Sequence, residues 1–299
     1  MKKIIGCILV LSVLAFVLGC TNSVPKQNLA NPGFIIDDHI HYRATDQWEN
    51  DFLTIYGEYN AMACVLVGMN SLERGIKFAN AHPDRVIPYA AINIDSPTVL
   101  EDVQRVYDMG YKGLGELFAR NQWNYDDVKN DPLWALAEKL GMPICPHTGI
   151  LSIGILSRMR PGYLGTIAAK FPKLYIHAAH FGNPWYNEAA EVARRCNNLY
   201  FDLTGSSLLK KDTDPGFWKQ FLWWTPYLGK PHMPADAVPA FEKLVFGTDQ
   251  SPDGLEENII RFNKMLDACD VSEETRAKCY YGTMARIHNI DVSKYLPDK

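Results

Sequence analysis

The sequence predicts an α/β fold, a (β/α)8 TIM barrel built as a single domain. Eight short apolar runs recur between residues 34 and 249, and stretches of helical spacing separate them. Chain length agrees, since such barrels typically need about 250 residues and the chain has 299. The runs are 34–38, 61–67, 86–93, 111–116, 142–147, 174–180, 199–203 and 244–249. Each is rich in Val, Ile, Leu and aromatics without polar alternation, as expected of strands buried on both faces. Helices are predicted over 71–81, over 98–109 after Ser96-Pro97 and ending on Gly110, and over 131–140 ending on Gly141. An open doubly wound sheet is the competing architecture, but no glycine-rich phosphate loop follows any run. Residues 213–241 carry Trp218, Trp223, Trp224 and Tyr227 and are expected to cover the barrel mouth, and 272–290 to form terminal helices packed outside.

The first 33 residues stand apart. Lys2-Lys3 precedes an apolar stretch over 4–19, too short for the roughly 20 residues a spanning helix needs and laid out like a signal peptide. Val17-Leu18-Gly19-Cys20 resembles a bacterial lipobox, which implies cleavage before Cys20 and lipidation of its thiol. The expected organisation is a signal peptide over 1–19, a lipidated N-terminus and tether over 20–33, and the (β/α)8 domain over 34–299. The mature protein would then be exported and lipid-anchored to the cell envelope. Five further cysteines, Cys64, Cys145, Cys196, Cys269 and Cys279, show no disulfide framework and no CxxC pair. A net charge of −4 with scattered basic residues argues against nucleic acid as a partner.

Chemistry concentrates where the strands end. The first run leads into His39-Ile40-His41, and residues two apart in a strand face the same way, so both imidazoles point into the barrel mouth. The fifth run ends at His147, the sixth at His180 and the eighth at Asp249. Barrel enzymes carry their catalytic groups on this rim. Nitrogen and carboxylate donors in one place suit a catalytic zinc, which lowers the pKa of its bound water to about 7. Asp249 stands where a carboxylate could take that water's proton. His177, three residues before His180, falls on the other strand face and reads as structural.

The segments IIDDHIH, PICPHTG, LYIHAAHFG and VFGTDQSP, spread over residues 35–252, resemble the amidohydrolase superfamily. They are most similar to its amidohydrolase-related branch, which includes amino-carboxymuconate-semialdehyde decarboxylase. The resemblance implies that His39, His41, His147 and Asp249 are metal ligands and that His180 polarises or deprotonates water or substrate. Gly113-Leu114-Gly115-Glu116 resembles the GxGE segment of TatD-type metal hydrolases, which implies a bridging role for Glu116 in a two-ion site. The alternative for Glu116 is a carboxylate hydrogen-bonded to a ligand histidine. Gly282-Thr283-Met284-Ala285-Arg286 departs from the Asn-Ala pair of many relatives, at a position of no chemical consequence.

The function this predicts is hydrolysis of a small amide, ester or lactone, with zinc (one ion or two) as cofactor and manganese as the other candidate. Decarboxylation of an aromatic or muconate-like acid on the same site is the alternative. Arg43, Trp48, Arg158 and Arg160, with the aromatics of 218–227, are candidates for the substrate pocket, although surface salt bridges explain the arginines equally well. Oligomeric state is left open.

Overall fold

The apolar runs come together as one curled parallel sheet in this computed structural model, which describes residues 32–119, 124–151, 155–205, 209, 214–222 and 238–296. The expected signal peptide, Cys20 and most of the tether lie outside the described residues, as do Trp223, Trp224 and Tyr227. Seven strands lie side by side in chain order: β1 (Ile35–His41), β2 (Ala61–Gly68), β3 (Val86–Ala91), β4 (Gly113–Leu117), β5 (Ile144–Pro146), β6 (Ile176–Ala178) and β7 (Leu199–Phe201). Helices follow the strands: α1 (Asp46–Glu58), α2 (Leu72–Ala81), α3 (Val99–Met109), α4 (Asp131–Leu140), α5 (Gly162–Lys170), α6 (Tyr186–Arg195) and the short α7 (Lys219–Leu222). Then come α8 (Leu255–Ala268), α9 (Glu273–Ala277) and α10 (Thr283–His288). The expected helix ends at Gly110 and Gly141 are left-handed caps with φ of 105° and 65°, a conformation that glycine adopts without steric cost.

Side chains alternate across the sheet. Ala63, Val65, Leu114, Ile176 and Phe201 pack outward in one cluster with the helices. Ile36, Cys64, Leu66, Tyr89, Cys145 and Val245 face inward and fill the barrel. Of the terminal helices α9 buries no residue, as expected of an outside position, whereas Met284, Ala285 and Ile287 of α10 correct that expectation by joining the inner cluster and closing the barrel floor. Phe34 stacks there on Tyr295 at 4.4 Å. None of the five cysteines of the described region forms a disulfide with another described residue. Among the described residues no helix is long and apolar enough to cross a membrane.

The predicted eighth strand over 244–249 forms no regular strand. It makes a single parallel bridge, Phe201 with Leu244. The segment still links the two ends of the sheet: Val245 N–H donates to the Phe201 carbonyl at 2.9 Å, Asp38 N–H to Phe246 at 2.9 Å, and Asp249 N–H to His39 at 2.7 Å. Extended geometry breaks at Asp249, whose φ is 49°. Two residues earlier, Gly247 lies so close to Asp38 that an added Cβ would stand 2.3 Å from its Oδ1.

Candidate metal centre

Simple alternation would turn the first two histidines away from the barrel. Ile36 faces inward and Ile35 outward, so an unbroken strand would send residues 39 and 41 toward the helices. A bulge between Asp37 and Ile40 inserts one residue relative to β2 and reverses the parity, leaving Ile40 outward and both imidazoles inward. A second bulge, between Gly115 and Leu117, leaves Glu116 as the extra residue of β4. On β6 it is His177 that lies on the inward parity. His180 reaches the interior through a left-handed turn at His180 and Phe181, with φ of 72° and 46°. Irregular backbone of this kind concentrates at functional sites.

These irregularities converge on Glu116, which is 4% exposed. Its Oε2 lies 3.7 Å from His39 Nε2 and 3.3 Å from His41 Nε2. Asp249 Oδ1 joins them at 3.6 and 3.4 Å from the same two nitrogens, which are 3.3 Å apart. Its Oε1 faces the other way, 2.6 Å from His147 Nδ1 and 3.3 Å from His180 Nε2. Glu116 is thus shared between a group with His39 and His41, beside which Asp249 stands, and a group with His147 and His180, and a third group that could hold a metal is His39, His180 and Asp202.

Just past the end of β7 stand two site residues that belong to none of the sequence motifs, Asp202 and Thr204. Asp202 Oδ2 lies 3.1 Å from His39 Nδ1, and Oδ1 accepts the N–H groups of His180 and Thr204 and the Thr204 hydroxyl. The Thr204 hydroxyl gives its one proton to Asp202, so its oxygen accepts Nδ1–H of His180 at 2.8 Å. Nδ1–H of both rings is thereby fixed, and Nε2 of each faces the carboxylates. Nε2 against an anion at 3.3–3.7 Å needs either a proton on the nitrogen or a cation between them, and mixed nitrogen and carboxylate donors suit a zinc-type ion. The residues fit a metal. A signal was available: Asp202 and Thr204 follow a buried run at a strand end, as the histidines do.

The electrostatics agree. Burial disfavours an imidazolium at His39, yet Asp249, Asp202 and Glu116 draw its pKa well above the ordinary range. Burial likewise opposes ionisation of Glu116, but the four surrounding histidines hold its carboxyl well below the usual carboxylate range. Asp202, pushed up by burial but drawn down by His39 and His180 together, settles at about 2.

Of the expected pocket residues, Trp48 is placed elsewhere. It is 4% exposed, stacks on Phe52 at 5.2 Å and packs against Tyr42 and Phe78, in the layer between sheet and helices. Its spacing with Phe52 and Tyr56 on α1 is that of a buried helix face. Arg160 pairs with Glu188 and lies over Trp185 at 5.3 Å, the surface role weighed against substrate binding. Arg43 is exposed. Arg158 keeps a buried Nε without a hydrogen-bond partner. Trp218 is buried among Phe181, Tyr186 and Phe221. A cavity of about 410 Å³ opens beside Glu116, lined by Met69, Ile92, Asn93, Ile94 and Phe118 among others.

A family model described as amidohydrolase matches residues 58–289. A search of curated proteins finds no match. Solved structures share the fold. An uncharacterised TIM-barrel protein from Bordetella bronchiseptica superposes with a TM-score of 0.57 at 18% identity, covering 85% of this chain and 98% of its own. A candidate amidohydrolase from Staphylococcus aureus gives 0.55 at 15% identity, with 86% and 99% covered. Dihydroorotase from Campylobacter jejuni gives 0.52 at 16% identity, with 86% and 83% covered.

Proposed function

The chain belongs to the amidohydrolase family, and on that premise we propose that it is a metal-dependent hydrolase of a small amide, ester or lactone. The observation that carries this is the Glu116 carboxylate, one oxygen turned to His39 and His41 and the other to His147 and His180. His39, His41, Asp249 and Oε2 of Glu116 would hold one divalent ion, zinc being the natural choice for these donors, and His147, His180 and Oε1 a second. Such ions, when bound, make a coordinated water acidic enough to ionise near neutral pH and polarise a carbonyl oxygen.

The chain's own residues do the rest. Asp249 is a quarter exposed at the mouth; burial opposes its charge, but His39 and His41 keep it ionised, able to take a proton from the attacking water and return it to the leaving group. Asp202 and Thr204 fix the rings of His39 and His180 so that their Nε2 lone pairs stay aimed inward. Apolar walls at Met69, Ile92 and Phe118 suit an organic substrate and limit water in the cavity.

Metal analysis of the purified chain beside a hydrolase screen tests the proposal. Two ions per chain are expected, with activity lost on chelation and regained on reloading, and Glu116→Gln should leave no more than one ion bound. Full activity in a metal-free preparation would sink it. Release of carbon dioxide without water incorporation would instead assign the decarboxylase chemistry. The lipobox at 17–20 supports a second proposal, that Cys20 anchors the protein to the cell envelope. Cys20→Ser should move the protein from the membrane fraction to the soluble one, and an unchanged distribution would refute the anchor.

A further inference from the structure

At the opposite end of the barrel from the histidines, a cavity of about 420 Å³ lies between the starts of β7 and of the 244–249 segment and the terminal helices. Its walls carry three cations, Lys243, Lys278 and Arg286, and one carboxylate, Glu242. Lys278 is satisfied, 3.3 Å from Glu242 and 3.1 Å from Glu274. The other two form no ion pair with a carboxylate among the described residues. Lys243 is 5% exposed, and its ammonium donates to the Cys196 carbonyl at 2.7 Å and rests 4.6 Å from the Tyr200 ring centre. An ammonium has three protons to place. Arg286 donates to the hydroxyls of Tyr175 and Tyr200 and lies over both rings, and no carboxylate pairs with it among the described residues.

Two like charges therefore share one aromatic wall, one of them nearly buried, and the one carboxylate of the cavity among the described residues, Glu242, is engaged by Lys278. That arrangement costs free energy unless a counter-charge enters. Burial above all, with a lesser contribution from Arg286 and against the pull of Cys196 and Glu242, lowers the Lys243 ammonium to about 8. The neighbourhood is also rigid, since the Tyr200 hydroxyl donates to the Asn197 carbonyl at 2.9 Å, holding the shared ring in place.

We propose that this cavity is a binding site for a small oxyanion, phosphate or the phosphate group of a small metabolite, held between the Lys243 ammonium and the Arg286 guanidinium. Guanidinium and ammonium together give the charge-assisted donors such an anion needs. Because Arg286 belongs to α10 and Lys243 to the sheet side, the bound anion would tie the helix that closes the floor to the barrel wall.

Calorimetric titration of the full chain with inorganic phosphate, at constant ionic strength against chloride, tests the site. Saturable binding is expected in the wild type, with a raised thermal midpoint. Arg286→Gln, at an exposed side chain, should weaken binding at least tenfold, and Lys243→Met should do the same where it folds. Equal affinity in wild type and Arg286→Gln would place the phosphate elsewhere, at the histidine cluster for instance, and would overturn the proposal, as would the absence of saturable binding. A glycerol phosphate titration separates the sources: equal or tighter binding assigns a phosphate ester, and weaker binding assigns the free ion.

Discussion

The two oxygens of Asp202 reach two different histidines, one through a direct contact with His39 Nδ1 and the other through the Thr204 hydroxyl to His180 Nδ1. One carboxylate thus sets the tautomer on both sides of Glu116. Carboxylate partners of ligand histidines typically contribute 10–100-fold to metal affinity. Asp202→Asn keeps the shape but offers an N–H where His39 needs an acceptor, so metal affinity is expected to fall by about 10–100-fold. Competition with a chromophoric chelator measures this directly, and an unchanged dissociation constant would remove Asp202 from the site. Thr204→Val should lower affinity less, because it frees only the His180 ring. Asp249→Asn belongs to the same scale. It removes the proton acceptor at the mouth and is expected to lower kcat by about 10²–10⁴-fold with a much smaller effect on KM. Retained turnover in steady-state kinetics would eliminate that role.

At the level of elements, the site exists because strands fail at the right places. The histidine pair needs the bulge in β1, Glu116 needs the one in β4, and His180 and Asp249 stand on left-handed residues. Strand identity and order were legible from buried apolar runs, since burial on both faces selects the same residue types whatever the local register. Side-chain direction was not. Alternation predicts that residues 39 and 41 share a face, but which face depends on one inserted residue that no apolar pattern marks. For Glu116 the GxGE resemblance already implies a bridging role, but the bulge that turns it inward is not marked in the sequence. Trp48 was misplaced by its nearness to the motif, although its spacing with Phe52 and Tyr56 already described a core face. Close approach makes a further demand at Gly247: a methyl there would meet Asp38 Oδ1 at 2.3 Å and Thr204 Cγ2 at 2.9 Å. Overpacking of this kind typically costs about 1–3 kcal/mol. Gly247→Ala should lower stability by about that amount in urea titrations of the metal-free protein, and an unshifted midpoint would show that the segment yields without strain.

Across the whole molecule, a column of buried polar groups runs through the barrel from the floor toward the site. His288 of α10 meets the Tyr89 hydroxyl at 2.9 Å, Tyr89 meets His177 at 2.8 Å, and His177 meets Asp38 at 3.0 Å. Burial pushes the His177 imidazole down to about 3 and that of His288 to about 4, from an ordinary 6.5. Both are neutral in the native state at pH values where the unfolded chain binds protons. These two histidines then contribute stability that rises with pH between about 3 and 6.5, while the buried carboxyls of Asp37, raised to about 6, and of Asp38, also raised, contribute with the opposite sign. Each such group adds a slope of up to about 1.4 kcal/mol per pH unit. His177→Gln removes one titrating group and one column contact together. It should be less stable than wild type at pH 7 but lose stability less steeply below pH 6.5, so the two curves converge toward acid. Urea unfolding from pH 7 to pH 4 in the presence of a chelator, which silences the metal site, separates these effects. Parallel curves would mean that the His177 proton is not what the acid transition reads, and that the column contributes packing alone.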